Sequence, residues 1–258
     1  MVAQDVTPVI RFDDVAKSYD GRGGRLLALD SIAFDIRDRE FISVLGPSGC
    51  GKSTLIRLLA GLMPYDRGTV SIRGDKVDGP RRDVGIVFQT SNLLPWLDVE
   101  ANLRLGVEIR RDRARAAALD LAALVRSLGL EGFEKSFPHQ LSGGMRHRVA
   151  IGQALALSPD VLLMDEPFGA LDALTRDQLN MELLRLWQRD AKTVVLITHS
   201  IAEAVLLSDR VLVMCGRPGR IVEQVAIDLP RPRDPTVTRA SRAFGDYVVR
   251  LSRLMGVS

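Results

Sequence analysis

The sequence predicts an α/β fold with a mostly parallel sheet, an antiparallel β portion near the N-terminus and an inserted helical subdomain. Three observations support this prediction: short apolar runs, partly alternating segments early in the chain, and a central block rich in Ala, Leu and Arg. Short continuous apolar runs are typical of parallel strands that are covered on both faces. Such runs lie at 161–164 and 194–197.

The first part of the chain is predicted to form strands. Residues 9–12 and 32–36 partly alternate apolar and polar side chains, and the Gly-rich segment 21–24 between them is a turn signal. The apolar run 41–45 leads into Gly46. Residues 54–60 then favour a helix that ends near Gly61 and Pro64.

The middle of the chain is predicted to be helical. One helical pattern begins at 98–103, and a second covers 114–128. Further helices are expected at 173–190 and 200–207. The Pro-rich segment 229–235 predicts a stiff, extended linker, which a short helix from about 237 to 255 follows.

Composition limits the possible classes of protein. The 258 residues are 46% hydrophobic and 26% charged, which is ordinary for a globular protein. No apolar run approaches the length of a membrane helix, and residues 1–5 lack a secretory signal, so we expect a protein made and kept in the cytosol. Cys50 and Cys215 do not suggest a disulfide framework.

The charge pattern argues against nucleic acid as a partner, because a net charge of +3 is too weak for such a role. The excess positive charge is nevertheless concentrated near the C-terminus. We expect these arginines to form a solvated surface. They are Arg217, Arg220, Arg231, Arg233, Arg239, Arg242, Arg250 and Arg253.

A phosphate-binding loop follows the run 41–45. The loop fits the pattern G-x-x-x-x-G-K-[ST] and consists of Gly46, Pro47, Ser48, Gly49, Cys50, Gly51, Lys52 and Ser53. Its glycines let backbone amides close around phosphate oxygens, and Lys52 supplies a charge to the β- and γ-phosphates. Ser53 offers a hydroxyl to Mg²⁺, and Thr54 follows at the start of the helix. The loop by itself therefore predicts a nucleoside triphosphate, bound together with Mg²⁺.

Two carboxylates follow the apolar run 161–164. Asp165 is expected to hold Mg²⁺ through the water shell of the metal. Glu166 is the next residue, and successive side chains of a strand point in different directions, so it can have a different role. Glu166 is the candidate general base for the water that attacks the γ-phosphate. The alternative is an acidic pair that caps amides at the end of the strand.

A second possible anion site lies between the loop and this strand, within residues 141–148, Leu-Ser-Gly-Gly-Met-Arg-His-Arg. Ser142, Gly143 and Gly144 can form a cradle at the N-terminus of a helix. The order and spacing of these motifs resemble the ATP-binding subunit of an ABC (ATP-binding cassette) transporter over about residues 9–228. Met145 and His147 depart from this pattern, because many members have Gln at both positions.

The resemblance implies a P-loop NTPase core. It implies a nucleotide-binding domain over 1–228, with a helical subdomain at about 90–157, followed by a C-terminal linker and short helix over 229–258. It also implies a head-to-tail dimer of two identical chains, in which Ser142, Gly143 and Gly144 close on the ATP held by the other subunit. Two ATP molecules would then be buried at the dimer seam.

Further roles come from the same resemblance. Gln89 occupies the Q-loop position and would touch Mg²⁺ or the attacking water. His199 occupies the switch-histidine position and would contact the γ-phosphate. Asp172 belongs to the D-loop, Gly169-Ala170-Leu171-Asp172, which runs along the dimer seam. Tyr19 resembles the aromatic residue that stacks on adenine, although a tyrosine there is otherwise a common packing residue.

A narrower likeness points to the nitrate/sulfonate/taurine importer group. This likeness is based on four segments, which are residues 93–97, Gly144-Met145-Arg146, Arg217-Pro218-Gly219-Arg220 and residues 229–235. It implies a peripheral ATPase at the cytoplasmic face of the inner membrane. This ATPase would drive a separate transmembrane permease and, indirectly, serve a solute-binding protein. A soluble ABC ATPase that acts on nucleic acid or in cofactor assembly, and a non-hydrolysing scaffold, are the competing classes.

The sequence contexts of two side chains, Trp96 and Cys50, lead to more specific hypotheses. Trp96, with Leu93, Leu94 and Leu97, is predicted to lie at the cleft that receives a permease helix, with a place in the core as the alternative. Cys50 precedes a helix N-terminus and lies near Lys52, and both features favour the thiolate. We therefore expect a maleimide to reach Cys50 when the site is empty.

Overall fold

The structure is a computed structural model that describes residues 8–21, 24–169, 172–190 and 192–256. The chain divides into two compact units, one formed by 1–81 with 191–258 and the other by 82–190. In chain order, the elements are β1 (Ile10–Gly21), β2 (Gly24–Ile36), β3 (Phe41–Leu45), α1 (Lys52–Leu59), β4 (Arg67–Ile72), β5 (Asp75–Lys76), β6 (Val84–Val87), α2 (Val99–Ile109), α3 (Arg113–Ala118), α4 (Leu121–Ser127), α5 (Gly143–Ala156), β7 (Val161–Asp165), α6 (Ala173–Asp190), β8 (Thr193–Thr198), α7 (Ile201–Leu207), β9 (Arg210–Cys215), β10 (Arg220–Ala226), α8 (Pro235–Ala240) and α9 (Arg242–Leu254).

The first unit contains an antiparallel sheet with the strand order β2-β1-β4-β5. Its inner face is apolar because side chains alternate along β1, where Ile10 and Phe12 are buried and Arg11 is exposed. The rings of Phe12 and Phe34 stack with their centroids 4.6 Å apart. This sheet confirms the predicted antiparallel portion. The predicted turn at 21–24 includes Arg22 and Gly23, which lie outside the described residues.

The same unit also contains a mainly parallel group of strands. β3 pairs in parallel with β8 on one side and with β9 on the other, and β10 runs antiparallel to β9. Every residue of β3 and β8 is buried, as continuous apolar runs predict for strands covered on both faces. β3 ends at the phosphate loop, and α1 follows the loop.

The C-terminal segment is held in place by a buried arginine. Arg233 is 3% exposed, and its guanidinium donates to the carbonyls of Val205, Leu206 and Ser208 at the end of α7. Burial lowers its pKa to about 10, because desolvation penalises the charged form. The prediction that the C-terminal arginines form a solvated surface is therefore wrong for Arg233.

Two helices predicted as single segments are each divided in the structure. Segment 114–128 contains α3 and α4, because Asp120 accepts a hydrogen bond from the amide of Ala123 and starts a new helix. Segment 237–255 contains α9 and most of α8. Here Ser241 is extended, and its hydroxyl accepts from the amide of Phe244.

The second unit combines the parallel pair β6 and β7 with helices α2 to α6. α5 packs closely on its neighbours because it carries Gly152 on the contact face. A side chain at Gly152 would collide with Leu103 of α2 and with Leu128. Across the described parts of the chain, none of the helices combines the length and apolarity needed to cross a bilayer.

Candidate functional site

The phosphate loop in the first unit depends on glycine at specific positions. Gly49 and Gly51 have φ values of 81° and 95°, a left-handed conformation that side chains disfavour. Gly51 also forms the N-cap of α1. A side chain at Gly46 would collide with the carbonyl oxygen of Met214. The loop therefore has the shape expected of a backbone anion cradle at a helix N-terminus.

Lys52 is held within the loop. Its ammonium group donates to the carbonyl oxygens of Gly46 at 2.8 Å and of Pro47 at 3.0 Å. The residue is only 5% exposed, and these hydrogen bonds compensate for part of the desolvation of the charge. Ser53 and Thr54 follow in the first turn of α1. The predicted phosphate ligands are thus brought together as one local structure.

Tyr19 lies beside the start of α1. Its hydroxyl shares a hydrogen bond of 3.0 Å with the hydroxyl of Thr54 and donates to the sulfur of Met63 at 3.4 Å. The residue is half-buried, so part of its surface faces solvent. The structure therefore brings the predicted adenine-stacking residue next to the helix that follows the phosphate loop.

In the second unit, the two predicted carboxylates lie at the end of β7. Asp165 is the last residue of the strand, whereas Glu166 has a φ of 45° and has left it. The expectation that both carboxylates belong to one strand is therefore wrong, although they still occupy different environments. A left-handed non-glycine residue is strained, and such strain is concentrated at functional sites.

Glu166 and Gln89 are brought together within this unit. Gln89 is exposed and follows β6. A Cβ added at Gly169 would lie 3.6 Å from a carboxylate oxygen of Glu166 and 3.8 Å from the amide nitrogen of Gln89. Both side chains therefore border the same side of Gly169. Sequence reasoning proposed both residues but contained no information on their proximity.

The Ser-Gly-Gly segment forms the N-terminus of α5. The Ser142 hydroxyl caps the helix and accepts from the amide of Met145 at 3.2 Å. A Cβ at Gly144 would lie 2.7 Å from the methyl group of Thr175, so a larger residue would disturb the contact with α6. Ser142, Gly143 and Gly144 thus lie where a helix can bind an anion, as predicted.

His147 makes contacts that sequence reasoning missed. Its Nδ1 lies 3.0 Å from the carbonyl oxygen of Gly143, and its Nε2 lies 3.3 Å from that of Gln89. The side chain is 7% exposed. This histidine therefore links the helix of the Ser-Gly-Gly segment to the backbone of Gln89. No sequence pattern indicates this link, because it depends on how α5 packs.

Residues 29–169 match the family described as ABC transporter. The chain belongs to the ABC transporter family. An uncharacterized ABC transporter ATP-binding protein of Methanocaldococcus jannaschii is 48% identical over 95% of this chain and 91% of its own length.

Two other similar proteins support the assignment to this family. A taurine import ATP-binding protein of Rhizobium johnstonii is 47% identical over 86% of both chains. A solved dimeric ATP-binding cassette, in a post-hydrolysis state with ADP and phosphate, has a TM-score of 0.73. It is 30% identical, and the match covers 86% of this chain and all of that one. The chain is thus an ABC ATPase that binds ATP, and its predicted fold class is confirmed.

The remaining predicted ABC residues lie at element ends. His199 is exposed after β8, and the preceding Thr198 hydroxyl accepts from the amide of Ser200 at 2.9 Å. Asp172 accepts from the amide of Thr175 at 3.0 Å, at the start of α6. Ala170 and Leu171 of the D-loop lie outside the described residues. The roles assigned to His199 and Asp172 remain predictions.

Cys50 differs from its sequence-based prediction. Its side chain is 2% exposed, and burial raises the pKa of its thiol despite the opposing charge of Lys52. The prediction that the N-terminus of α1 and the charge of Lys52 favour a reactive thiolate at Cys50 is therefore wrong. Cys50 belongs to the ABC phosphate loop through its backbone, and its sulfur packs beneath Gly46.

We expect maleimide to modify Cys50 slowly in the folded, nucleotide-free protein and Cys215 faster. Cys215 is half-buried, and a thiol must be both ionised and accessible to react. Peptide mapping after timed labelling of the wild type, Cys50→Ser and Cys215→Ser would measure both rates. Rapid modification of Cys50 that MgATP slows would contradict this prediction and restore the reactive-thiol hypothesis.

Proposed function

We propose that this chain is the ATP-hydrolysing subunit that powers import of a small, anionic, sulfonate-like solute through a separate permease. The observation that carries the proposal is the 47% identity to a taurine import ATP-binding protein, which extends over 86% of both chains. The assignment of the chain to the ABC family supports the ATPase part. A role in nucleic acid or cofactor metabolism is not favoured.

In this proposal, loop 46–53 binds the phosphates of ATP, and Lys52 supplies positive charge to them. Ser53, Asp165 and Gln89 are the proposed contacts of Mg²⁺. Their hydroxyl, carboxylate and amide oxygens fit this ion, which prefers hard oxygen ligands and is often held by few protein groups. When bound, Mg²⁺ neutralises charge on the phosphates. Tyr19 and Thr54 complete the proposed nucleotide contacts.

Hydrolysis is assigned to three residues. Glu166 would accept a proton from the attacking water, as a positioned carboxylate can. Its proximity to Gln89 supports a joint role for the two side chains in orienting that water. His199 is proposed to contact the γ-phosphate. Its side chain is exposed directly after β8.

The proposed working form is a head-to-tail dimer of two copies of this chain. Ser142, Gly143 and Gly144 would bind the ATP of the other copy, and Asp172 would line the seam. The dimeric state of the similar solved cassette supports this arrangement. We propose that the nucleotide-binding domain spans 1–228, with its helical subdomain at about 90–157. The dimer would work at the cytoplasmic face of the membrane, with a solute-binding protein outside.

Trp96 is the proposed permease contact. It is 68% exposed, so the alternative that places it in the core is wrong. Its neighbours in the sequence include three half-buried leucines, Leu93, Leu94 and Leu97. An exposed tryptophan with apolar neighbours is typical of an anchor for a partner helix.

Trp96→Ala is expected to weaken assembly with the permease by about 30-fold or more, because truncated hot-spot residues cost about 2 kcal/mol or more. ATP binding and thermal stability of the isolated chain should not change. Ile109→Ala is the matched control, since Ile109 is a similarly exposed apolar residue (72%) of the same unit. Co-purification with a co-expressed partner permease would measure assembly.

Equal recovery of permease by Trp96→Ala and by the wild type would contradict the proposed contact. The importer function has its own test, which is the uptake of taurine, alkanesulfonates and nitrate by cells with and without this gene. Uptake that does not depend on the gene for any of these solutes would contradict the solute class. It would leave the ATPase assignment intact.

A further inference from the structure

The segment Arg217-Pro218-Gly219-Arg220 joins β9 to β10 and contacts the phosphate loop. Arg217 donates from Nη2 to the carbonyl oxygen of Ser48 at 3.4 Å. A Cβ added at Gly49 would lie 2.5 Å from the same nitrogen and 3.2 Å from the guanidinium carbon. The guanidinium thus packs directly on Gly49. Glycine is favoured there both by its φ of 81° and by the space that Arg217 occupies.

The turn that carries Arg217 is fixed to the strand β2. Gly219 donates to the carbonyl of Ala28 at 2.9 Å and accepts from the amide of Asp30 at 3.1 Å. Arg220 forms an ion pair of 2.5 Å with the carboxylate of Asp30.

Gly219 also lies against the loop itself, because a Cβ at this position would collide with the carbonyl oxygen of Cys50. The turn and the loop are therefore in contact at two places. Since backbone hydrogen bonds hold Gly219, the position of Arg217 on the loop is set by its neighbours as well as by its own weak hydrogen bond.

The contact of Arg217 has two physical consequences for an anion cradle. Its hydrogen bond and its packing on Gly49 help to orient the peptide between Ser48 and Gly49. The N–H of this peptide belongs to the row of amides that such loops present to phosphates. Its charge also raises the positive potential beside the loop, where a polyphosphate is expected. Arginine suits this role because its planar guanidinium is always charged and can both pack and donate.

We infer that Arg217 is a further ATP-affinity residue of this chain, which positions the Ser48–Gly49 peptide and adds positive charge beside the phosphate loop. This inference rests on the proposed assignment of loop 46–53 to ATP. It also assigns a role to the Arg-Pro-Gly-Arg segment.

The test compares full-length wild type with Arg217→Ala, Arg217→Lys and the control Arg250→Ala. Arg250 is an arginine of the same unit that pairs with Glu223 in β10 and is half-exposed. In Arg217→Ala, the KM for ATP and the Kd for MgADP should rise by about two- to fivefold, the range expected when one exposed charge is removed. The kcat should stay within about twofold of wild type, and Arg217→Lys should recover part of the affinity.

Salt separates this role from a purely structural one. Exposed charges are screened over about 10 Å at 0.1 M salt and about 3 Å at 1 M. The difference in affinity between wild type and Arg217→Ala should therefore shrink at 1 M NaCl, and the unfolding temperature without nucleotide should be unchanged. Unchanged affinity would overturn the inference, and so would a salt-independent loss accompanied by a lower unfolding temperature.

A Lys52→Met reference variant distinguishes failure of the inference from failure of the proposed function. If Lys52→Met binds MgADP normally, the assignment of the loop to ATP fails and the role of Arg217 fails with it. If Lys52→Met loses affinity and Arg217→Ala retains it, the role of Arg217 alone is refuted.

Discussion

Glu166→Gln is expected to reduce ATP turnover by about 10²–10⁴-fold, the usual contribution of a general base, while ATP binding is retained. Glutamine has nearly the same shape but cannot accept the proton of the attacking water at neutral pH. The left-handed conformation of Glu166 and its position near Gln89 support this role, because such strain is concentrated at functional sites.

The measurement combines steady-state ATPase rates with ATP binding by the full-length chain. Glu131→Gln, an exposed glutamate of the same unit, is the matched control and should keep wild-type turnover. If hydrolysis opens the dimer, Glu166→Gln should also form a long-lived dimer in ATP, which size-exclusion chromatography would detect. Near-normal turnover in Glu166→Gln would remove this residue from the mechanism.

Lys52→Met is expected to weaken ATP binding by about 10- to 100-fold, because a hydrogen bond that involves a charged group contributes about 1.5–3 kcal/mol. The ammonium lies among the loop carbonyls of Gly46 and Pro47, where it can also reach bound phosphates. Methionine keeps much of the side-chain volume and removes only the charge and the donors.

Calorimetric titration with MgADP and with ATP in the absence of Mg²⁺ would measure this loss. Lys76→Met is the control, since Lys76 is an exposed lysine of the same unit that packs over the ring of Tyr65. Wild-type affinity in Lys52→Met would show that the loop does not bind the phosphates through this residue.

The parts of the site that the sequence predicted well are contiguous in the chain. The phosphate loop follows from eight consecutive residues, because the glycines and the lysine act through local backbone geometry. The apolar runs also identified β3, β7 and β8. A strand that is buried on both faces does not alternate polar and apolar residues, so it is visible in the sequence as an apolar run. The division of the predicted helices was missed because capping by Asp120 and Ser241 outweighed helix-favouring composition.

The sequence by itself determined the fold class, the phosphate loop and the order of the ABC motifs, all of which depend on short-range spacing. Only the tertiary structure decided that Cys50 is buried, that Arg233 is enclosed by carbonyls and that His147 binds the backbone of Gln89. Arg217 is the clearest case, because 169 positions separate it from the Ser48 carbonyl that it contacts. Desolvation and long-range hydrogen bonds depend on which distant residues become neighbours, and no local pattern encodes that.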